Sequence, residues 1–261
     1  MGREAVHVTT WQDEASATVP RALLVHGTMS WGTDCFRAQR PLAGGFRLEL
    51  MDRRGFGDSP DIERADYEVD AEDIAELLGT GAHLVGYSYG AAGAMIAAAR
   101  RPEAVHSLTL IEPSVLRVAE EVPAVREALV RIRAAFGEER EPMSPEEYLR
   151  HSTEDYGLPL PEFTPHLLRA AASAMAERVV WDAEIPLTPL ARADYPKLVL
   201  NGTWDTAHPE YRAFIGEAMT ACGEFIAERI GARLVRIPGA DHLPHRDQPE
   251  EVNRLLAEAW A

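Results

Sequence analysis

The sequence predicts an α/β fold: a mostly parallel central sheet with helices on both faces, and a helical cap inserted before the last two strands. Three observations carry this expectation. Short apolar runs alternate with amphipathic helical runs over most of the chain, and strands that alternate with helices pair in parallel and are covered on both faces. The rhythm breaks over residues 114–194, where helical runs follow one another without a convincing buried strand. It then resumes for two more strand–helix units.

The elements justify themselves in order. EAVHVTTW (4–11) alternates polar and apolar residues and suits an edge strand. RALLVHG (21–27) is an apolar run ending in glycine, as a strand buried on both faces requires, and FRLELMD (46–52) is another strand. YEVDAEDIAELLG (67–79) turns helical, with Asp70 as a candidate cap and Ile74, Leu77 and Leu78 on one face. Strand AHLVGYS, helix YGAAGAMIAAARR and strand HSLTLIE (106–112) follow. The break contains VPAVREALVRIRAAF, PEEYLRHSTEDY and TPHLLRAAASAMAERVVW, joined by Pro-rich stretches. That insertion is too long for a connection and too structured for a linker. Strand KLVLNG (197–202), a helical region over 209–230, strand ARLVRIPG (232–239) and a last helix PEEVNRLLAEAW (249–260) complete the chain, with Pro249 suited to a first helical turn. The predicted division is a core of residues 1–113 and 195–261 and a cap of residues 114–194.

Composition narrows the partners. The chain has 261 residues, 46% hydrophobic and 26% charged, enough for one large domain. Its net charge of −16 opposes binding to nucleic acid or to an anionic membrane surface. Cys35 and Cys222 are far apart and lack metal-ligand spacing, so neither a disulfide framework nor a metal site is expected. The opening MGREAVHVTTWQDE has no apolar core of signal-peptide length, and no run is long enough to span a bilayer. A cytoplasmic protein acting on a small molecule is expected; the sequence carries no signal for an oligomeric state.

Functional groups in such sheets gather at the carboxyl ends of the strands. There the chain places His26-Gly27-Thr28-Met29, Asp52-Arg53-Arg54-Gly55-Phe56-Gly57-Asp58-Ser59, Gly86-Tyr87-Ser88-Tyr89-Gly90, Glu112-Pro113, Asn201-Gly202-Thr203-Trp204-Asp205 and Gly239-Ala240-Asp241-His242. A hydroxyl, two candidate acids and a histidine thus occupy strand ends in the order Ser, acid, His. Ser88 sits on a tight strand-to-helix corner where small neighbours are needed, and the helix it opens offers unpaired N–H groups to a developing anion.

G-Y-S-Y-G at that corner resembles the nucleophile elbow of the α/β-hydrolase family, and Ser–acid–His is that family's chain order. The HG turn, the DRRGFGDS loop, GTWD and GADH fall where that family has related motifs, so the resemblance covers nearly the whole chain, with the insertion in the family's lid position. It implies Ser88 as nucleophile and His242 as base, with His245 a nearby competitor. Asp205 is the preferred acid and Glu112 the alternative, at a strand end some family members use. The backbone amides of Thr28 and Tyr89 are the implied oxyanion donors. Met29, Trp31, Tyr87 and Trp204 are candidates for an apolar pocket. The DRRGFGDS loop reads as structural, since it lacks the ending of a phosphate-binding loop. A serine at the elbow excludes relatives that need a carboxylate there. The expected reaction is hydrolysis of an ester, lactone or thioester through an acyl-enzyme, with no cofactor or metal. Acyl transfer, a cofactor-free lyase or cyclase reaction, and a non-catalytic receptor are the alternatives.

Overall fold

The computed structural model describes residues 3–13, 19–135, 143–155, 157 and 159–261. Seven strands form one sheet: β1 (Val8–Trp11), β2 (Arg21–Val25), β3 (Arg47–Met51), β4 (Ala82–Tyr87), β5 (Val105–Ile111), β6 (Lys197–Gly202) and β7 (Arg233–Ile237), in the order β1-β3-β2-β4-β5-β6-β7. β1 runs antiparallel to β3, and every other neighbouring pair is parallel. The edge-strand reading of the N-terminal segment and the parallel reading of the others agree with this topology.

Alternate side chains of each strand point to opposite faces. Leu23, Val25, Leu84, Leu108, Leu110 and Val199 pack on one side with Ile74, Met95 and Ile226 from helices Tyr67–Leu78, Tyr89–Arg100 and Glu217–Ile230. Ala22, Leu24, Leu48, Leu50, Val85, Ile111 and Leu200 pack on the other with Phe36 and with Val252, Leu256 and Trp260 of helix Pro249–Trp260. β4 is buried along its whole length, as the central strand of a doubly covered sheet must be. The alanine-rich helix after it lies close to its neighbour because Gly93 meets Asp70 and Ile74 where a Cβ would stand 3.1 Å from each.

One capping assignment needs correction. Asp66, not Asp70, caps helix Tyr67–Leu78, accepting from Glu68 N–H at 2.9 Å. Asp70 is buried one turn in and pairs with Arg53.

Between β5 and β6 the described residues form helices Pro123–Ala135, Pro145–Glu154, Pro165–Met175 and Leu187–Arg192 and no strand. Phe136 and Tyr156, read from the sequence as helical, lie outside the described residues. Ser144 closes a capping box with Glu147, and Thr164 caps the following helix through Leu167 N–H. The segment is fastened to the Asp52–Ser59 loop: Ser173 Oγ donates to Gly55 O at 2.5 Å, and Arg169 donates to Ser59 O at 2.7 Å. No helix among the described residues is long and apolar enough to cross a membrane. Cys35 and Cys222 are free and buried.

Two buried histidines give the fold an acid limit. Burial and the nearby Arg53 charge hold His26 well below the usual imidazole range, and burial with the Arg246 and His242 charges brings His245 down to about 3. Such an imidazole is neutral in the folded chain but takes up a proton in the unfolded chain near pH 6.5. Stability is therefore fully present above that pH and is lost as pH falls through it, by about 1.4 kcal/mol per pH unit for each such group. The melting temperature is expected to fall between pH 6.5 and 4 more steeply for wild type than for His245→Gln, as thermal unfolding across that range will show.

Candidate active site

Four strand ends share one backbone feature. Among the described residues, the non-glycine positions with positive φ are Met29 (50°), Ser88 (51°), Glu112 (46°) and Trp204 (58°), which follow β2, β4, β5 and β6. L-residues adopt this conformation at a cost of roughly 1–3 kcal/mol each, and such strain concentrates where function fixes a side chain. The sequence had marked only the serine corner as strained.

The corner at Ser88 depends on its glycines. A Cβ on Gly86 would stand 2.7 Å from both Ala91 Cα and Ala94 Cβ, and one on Gly90 would strike the carbonyls of His26 and Val25. Ser88 N–H donates to Ile111 O at 2.9 Å, which carries the β4–β5 pairing one residue past β4. Tyr89 then opens the helix, where the first N–H groups have no partner within the helix.

Ser88 Oγ lies 2.9 Å from His242 Nε2. On the other side of the ring, His242 Nδ1 lies 3.5 Å from Glu112 Oε2. This is the outer limit of a hydrogen bond, and such contacts tighten as charge develops on the base. Glu112 is fully buried. Its Oε1 accepts from Gly202 N–H at 2.7 Å, Asn201 Nδ2 at 3.2 Å and Trp204 Nε1 at 3.3 Å. Those three groups can only donate, so the carboxyl they surround acts as an acceptor. Burial pushes the Glu112 carboxyl up from the ordinary range, and His242, the Gly202 amide and the Trp204 indole pull it back. An accepting Glu112 fixes the proton of His242 on Nδ1 and leaves Nε2 bare to receive the serine proton.

The carboxylate beside His242 is that of Glu112, the alternative, and not that of the preferred Asp205. Asp205 is exposed, and its carboxylate pairs with the Thr203 hydroxyl, which holds it below its ordinary range. The turn after β6 instead aims Trp204 inward: Trp204 N–H donates to Ala240 O at 2.9 Å, and its indole reaches Glu112. The strand end before the helical segment thus supplies the carboxylate, and the strand end after it supplies that carboxylate's donors. His245, the nearby competitor, is packed against other partners. It is fully buried, 3.6 Å from Cys35 Sγ and 4.4 Å in ring separation from Tyr87.

Two pocket residues are corrected as well. Tyr87 and Trp204 are 5% and 1% exposed, with rings 5.4 and 6.0 Å from the His242 ring, so they pack around the base instead of lining open space. Trp31 is half-buried and faces His166 of the helical segment at 5.3 Å. Met29 lies in the turn after β2.

The model of the alpha/beta hydrolase family matches residues 22–255. The chain belongs to the alpha/beta hydrolase family. A pimeloyl-[acyl-carrier protein] methyl ester esterase of Neisseria meningitidis is 28% identical over 249 residues, which cover 89% of this chain and 74% of that protein. A protein of the same name from Aeromonas salmonicida is 38% identical over 97 residues, 36% of this chain and 38% of that protein. The chain therefore spans little more than a third of the length of the Aeromonas relatives it matches. Among solved structures, a thermophilic esterase from Thermogutta terrifontis is 26% identical with a TM-score of 0.61, covering 98% of this chain and 94% of that one. A hydrolase from Pseudomonas aeruginosa, at 24% identity and a TM-score of 0.63 over 97% of this chain and 92% of that one, shares the fold.

This alpha/beta hydrolase carries a buried ionic cluster beneath the turn after β2 that the sequence did not reveal. Arg53 is fully buried, with its guanidinium between the Phe56 and Tyr89 rings at 4.4 and 4.3 Å. It donates to Gly27 O at 3.0 Å, Asp70 Oδ2 at 3.1 Å and Glu177 Oε1 at 2.5 Å. The other Glu177 oxygen accepts from the Thr28 hydroxyl. His26 completes the scaffold: Nδ1 lies 2.7 Å from Gly27 O, and Nε2 accepts from Arg53 N–H at 2.9 Å. A carboxylate from the helical segment is thereby joined to the turn that carries the Thr28 amide. The DRRGFGDS run gave no sign that Arg53 turns inward while Arg54 pairs with Asp73. Arg53→Ala would leave two buried carboxylates without their cation. A loss of about 3–5 kcal/mol of stability is expected, read as a lowered urea midpoint.

The Asp52–Ser59 loop is a structural turn, as read from sequence. Asp52 accepts from Gly32 N–H at 2.8 Å and Asp58 N–H at 3.0 Å, and Gly55 and Gly57 take φ of 83° and 51°. His7, Asp52 and Asp58 bring possible metal-ligating atoms within 4.8 Å of one another, but these amide contacts already account for the Asp52 carboxylate.

Proposed function

We propose that this chain is a serine hydrolase that cleaves a carboxylic ester through an acyl-enzyme, with Ser88 as nucleophile, His242 as base and Glu112 as the orienting acid. The observation that carries the reading is the Glu112–His242–Ser88 chain, with 3.5 and 2.9 Å separations and a carboxylate surrounded by donors.

A serine hydroxyl is a weak nucleophile until a base takes its proton. In the proposed reaction His242 Nε2 removes that proton while Ser88 Oγ attacks the ester carbonyl. Glu112 stabilises the imidazolium without itself taking the proton. The carbonyl oxygen becomes an anion facing the Thr28 and Tyr89 amides, where two backbone donors lower the barrier. His242 then gives its proton to the leaving alcohol, and water reverses the sequence to release the acid. Every proton passes through His242, so this sequence needs no cofactor.

The substrate we propose is an ester of a small alcohol with a small-to-medium apolar acyl group. The Neisseria and Aeromonas relatives are methyl ester esterases, which supports the small alcohol. Residues 114–194 act as a cap in this reading, since Ser173, Arg169 and Glu177 fasten them to loops of the core. Ser88 is 5% exposed, so substrate must enter the fold to reach it. Two buried, unpaired thiols fit a reducing compartment, and we place the protein in the cytoplasm. Turnover of p-nitrophenyl acetate, butyrate and octanoate, and of methyl butyrate by proton release, tests the reading. Hydrolysis that favours the shorter acyl chains and depends on Ser88 is expected; wild-type rates equal to Ser88→Ala on every ester would contradict it.

A further inference from the structure

A second hydroxyl touches the nucleophile. Ser114 Oγ lies 3.1 Å from Ser88 Oγ, on a turn that begins at Glu112. The Glu112 carbonyl, at 3.5 Å, is the more distant of the two acceptors that these contacts offer the Ser114 hydroxyl, so its proton is directed to Ser88 Oγ. The turn that delivers the acid to His242 thus delivers a hydroxyl to the serine.

We propose that Ser114 is a catalytic residue that holds the hydrolytic water during deacylation; the proposal rests on the acyl-enzyme reading above. In the resting site the proton order is set from Glu112 outward. His242 donates from Nδ1, so Ser88 O–H donates to Nε2, and a lone pair of Ser88 Oγ is free to accept from Ser114. Acylation changes that oxygen. It becomes the bridging oxygen of an ester, with no proton to give and little capacity to accept. His242 Nε2 then loses the Ser88 proton and the Ser114 hydroxyl loses its acceptor. Both groups stand beside the ester that forms on Ser88 Oγ, at 2.9 and 3.1 Å from that oxygen, and both turn to the water that approaches the acyl carbon. That water donates to Nε2 and accepts from Ser114 O–H.

The step balances. One water proton passes to His242 Nε2 as the water oxygen bonds to the acyl carbon. The tetrahedral anion collapses, the bond from that carbon to Ser88 Oγ breaks, and His242 returns the proton to Ser88 Oγ. The products are the carboxylic acid and free enzyme. Ser114 keeps its own proton throughout and acts by position, so its loss raises the barrier of the water step more than that of the ester step.

Pre-steady-state release of p-nitrophenol from p-nitrophenyl butyrate separates the two steps, with intact-protein mass spectrometry following the acyl adduct. Ser114→Ala is expected to acylate within about threefold of wild type and to deacylate at least tenfold more slowly, giving a full burst and an accumulated butyryl adduct. Ser114→Thr, which retains the hydroxyl, is expected to recover most of the deacylation rate. A burst and steady rate in Ser114→Ala equal to wild type, or equal slowing of both steps, would overturn the role of Ser114 while leaving the hydrolase reading intact. Release of p-nitrophenol by wild type no faster than by Ser88→Ala, with no butyryl adduct in any variant, would instead sink the acyl-enzyme reading, and this proposal with it.

Discussion

Ser88→Ala will remove ester turnover almost completely, by a factor on the order of 10⁵–10⁶ in kcat, the scale on which a triad serine acts in other hydrolases. The argument is local. Ser88 Oγ is the atom that His242 Nε2 reaches at 2.9 Å, and its backbone is held at a φ of 51° by neighbours that leave no room for Cβ atoms at Gly86 and Gly90. Alanine adopts that same backbone and removes only the hydroxyl. The folded structure is therefore expected to survive, and an unchanged circular dichroism spectrum with abolished hydrolysis of p-nitrophenyl butyrate is the result that checks it. Residual turnover within tenfold of wild type would mean that the chemistry lies elsewhere.

Glu112→Gln will lower kcat by a factor on the order of 10⁴, the scale associated with losing the triad carboxylate while keeping its shape. The amide presents an NH₂ group to partners that can only donate. Either the Gly202 and Trp204 N–H groups or His242 Nδ1–H loses its acceptor, and the imidazole is no longer held with Nε2 bare. Asp205→Asn, by contrast, alters an exposed loop carboxylate that pairs with Thr203, and kcat is expected to stay within about threefold of wild type. Steady-state kinetics of the two variants side by side distinguish the acids. The opposite pattern, a collapse in Asp205→Asn and a nearly unaffected Glu112→Gln, would return the acid to the loop after β6.

The sheet was legible in the sequence because burial writes itself into composition. β2, β4 and β6 are continuous apolar runs, since both their faces are covered. Ser88 and His242 were legible for a related reason: each follows a strand through a glycine-containing turn that little else would require. The acid was harder to read. Glu112 and Asp205 both follow strands, and one-dimensional order does not tell which carboxylate turns inward. Two residues with positive φ, Glu112 and Trp204, lie at these strand ends, and there one carboxylate is buried while that of Asp205 is left in solvent. The Arg53 cluster was hidden for a different reason. Its partner Glu177 lies 124 residues away, and a charged, glycine-rich loop is normally solvated. Ser114 was hidden because a serine in a loop carries no pattern at all. Long-range pairing and turn direction are properties of the folded chain, and local periodicity does not contain them.

Reaction with a fluorophosphonate, followed by peptide mass spectrometry, tests the central claim most directly, because it reads the activated nucleophile without needing the natural substrate. A single adduct on Ser88 is expected, forming rapidly in wild type, at least a hundredfold more slowly in Glu112→Gln, and at an unchanged rate in Asp205→Asn. A wild-type chain that stays unlabelled, or an adduct on any other residue, would contradict it.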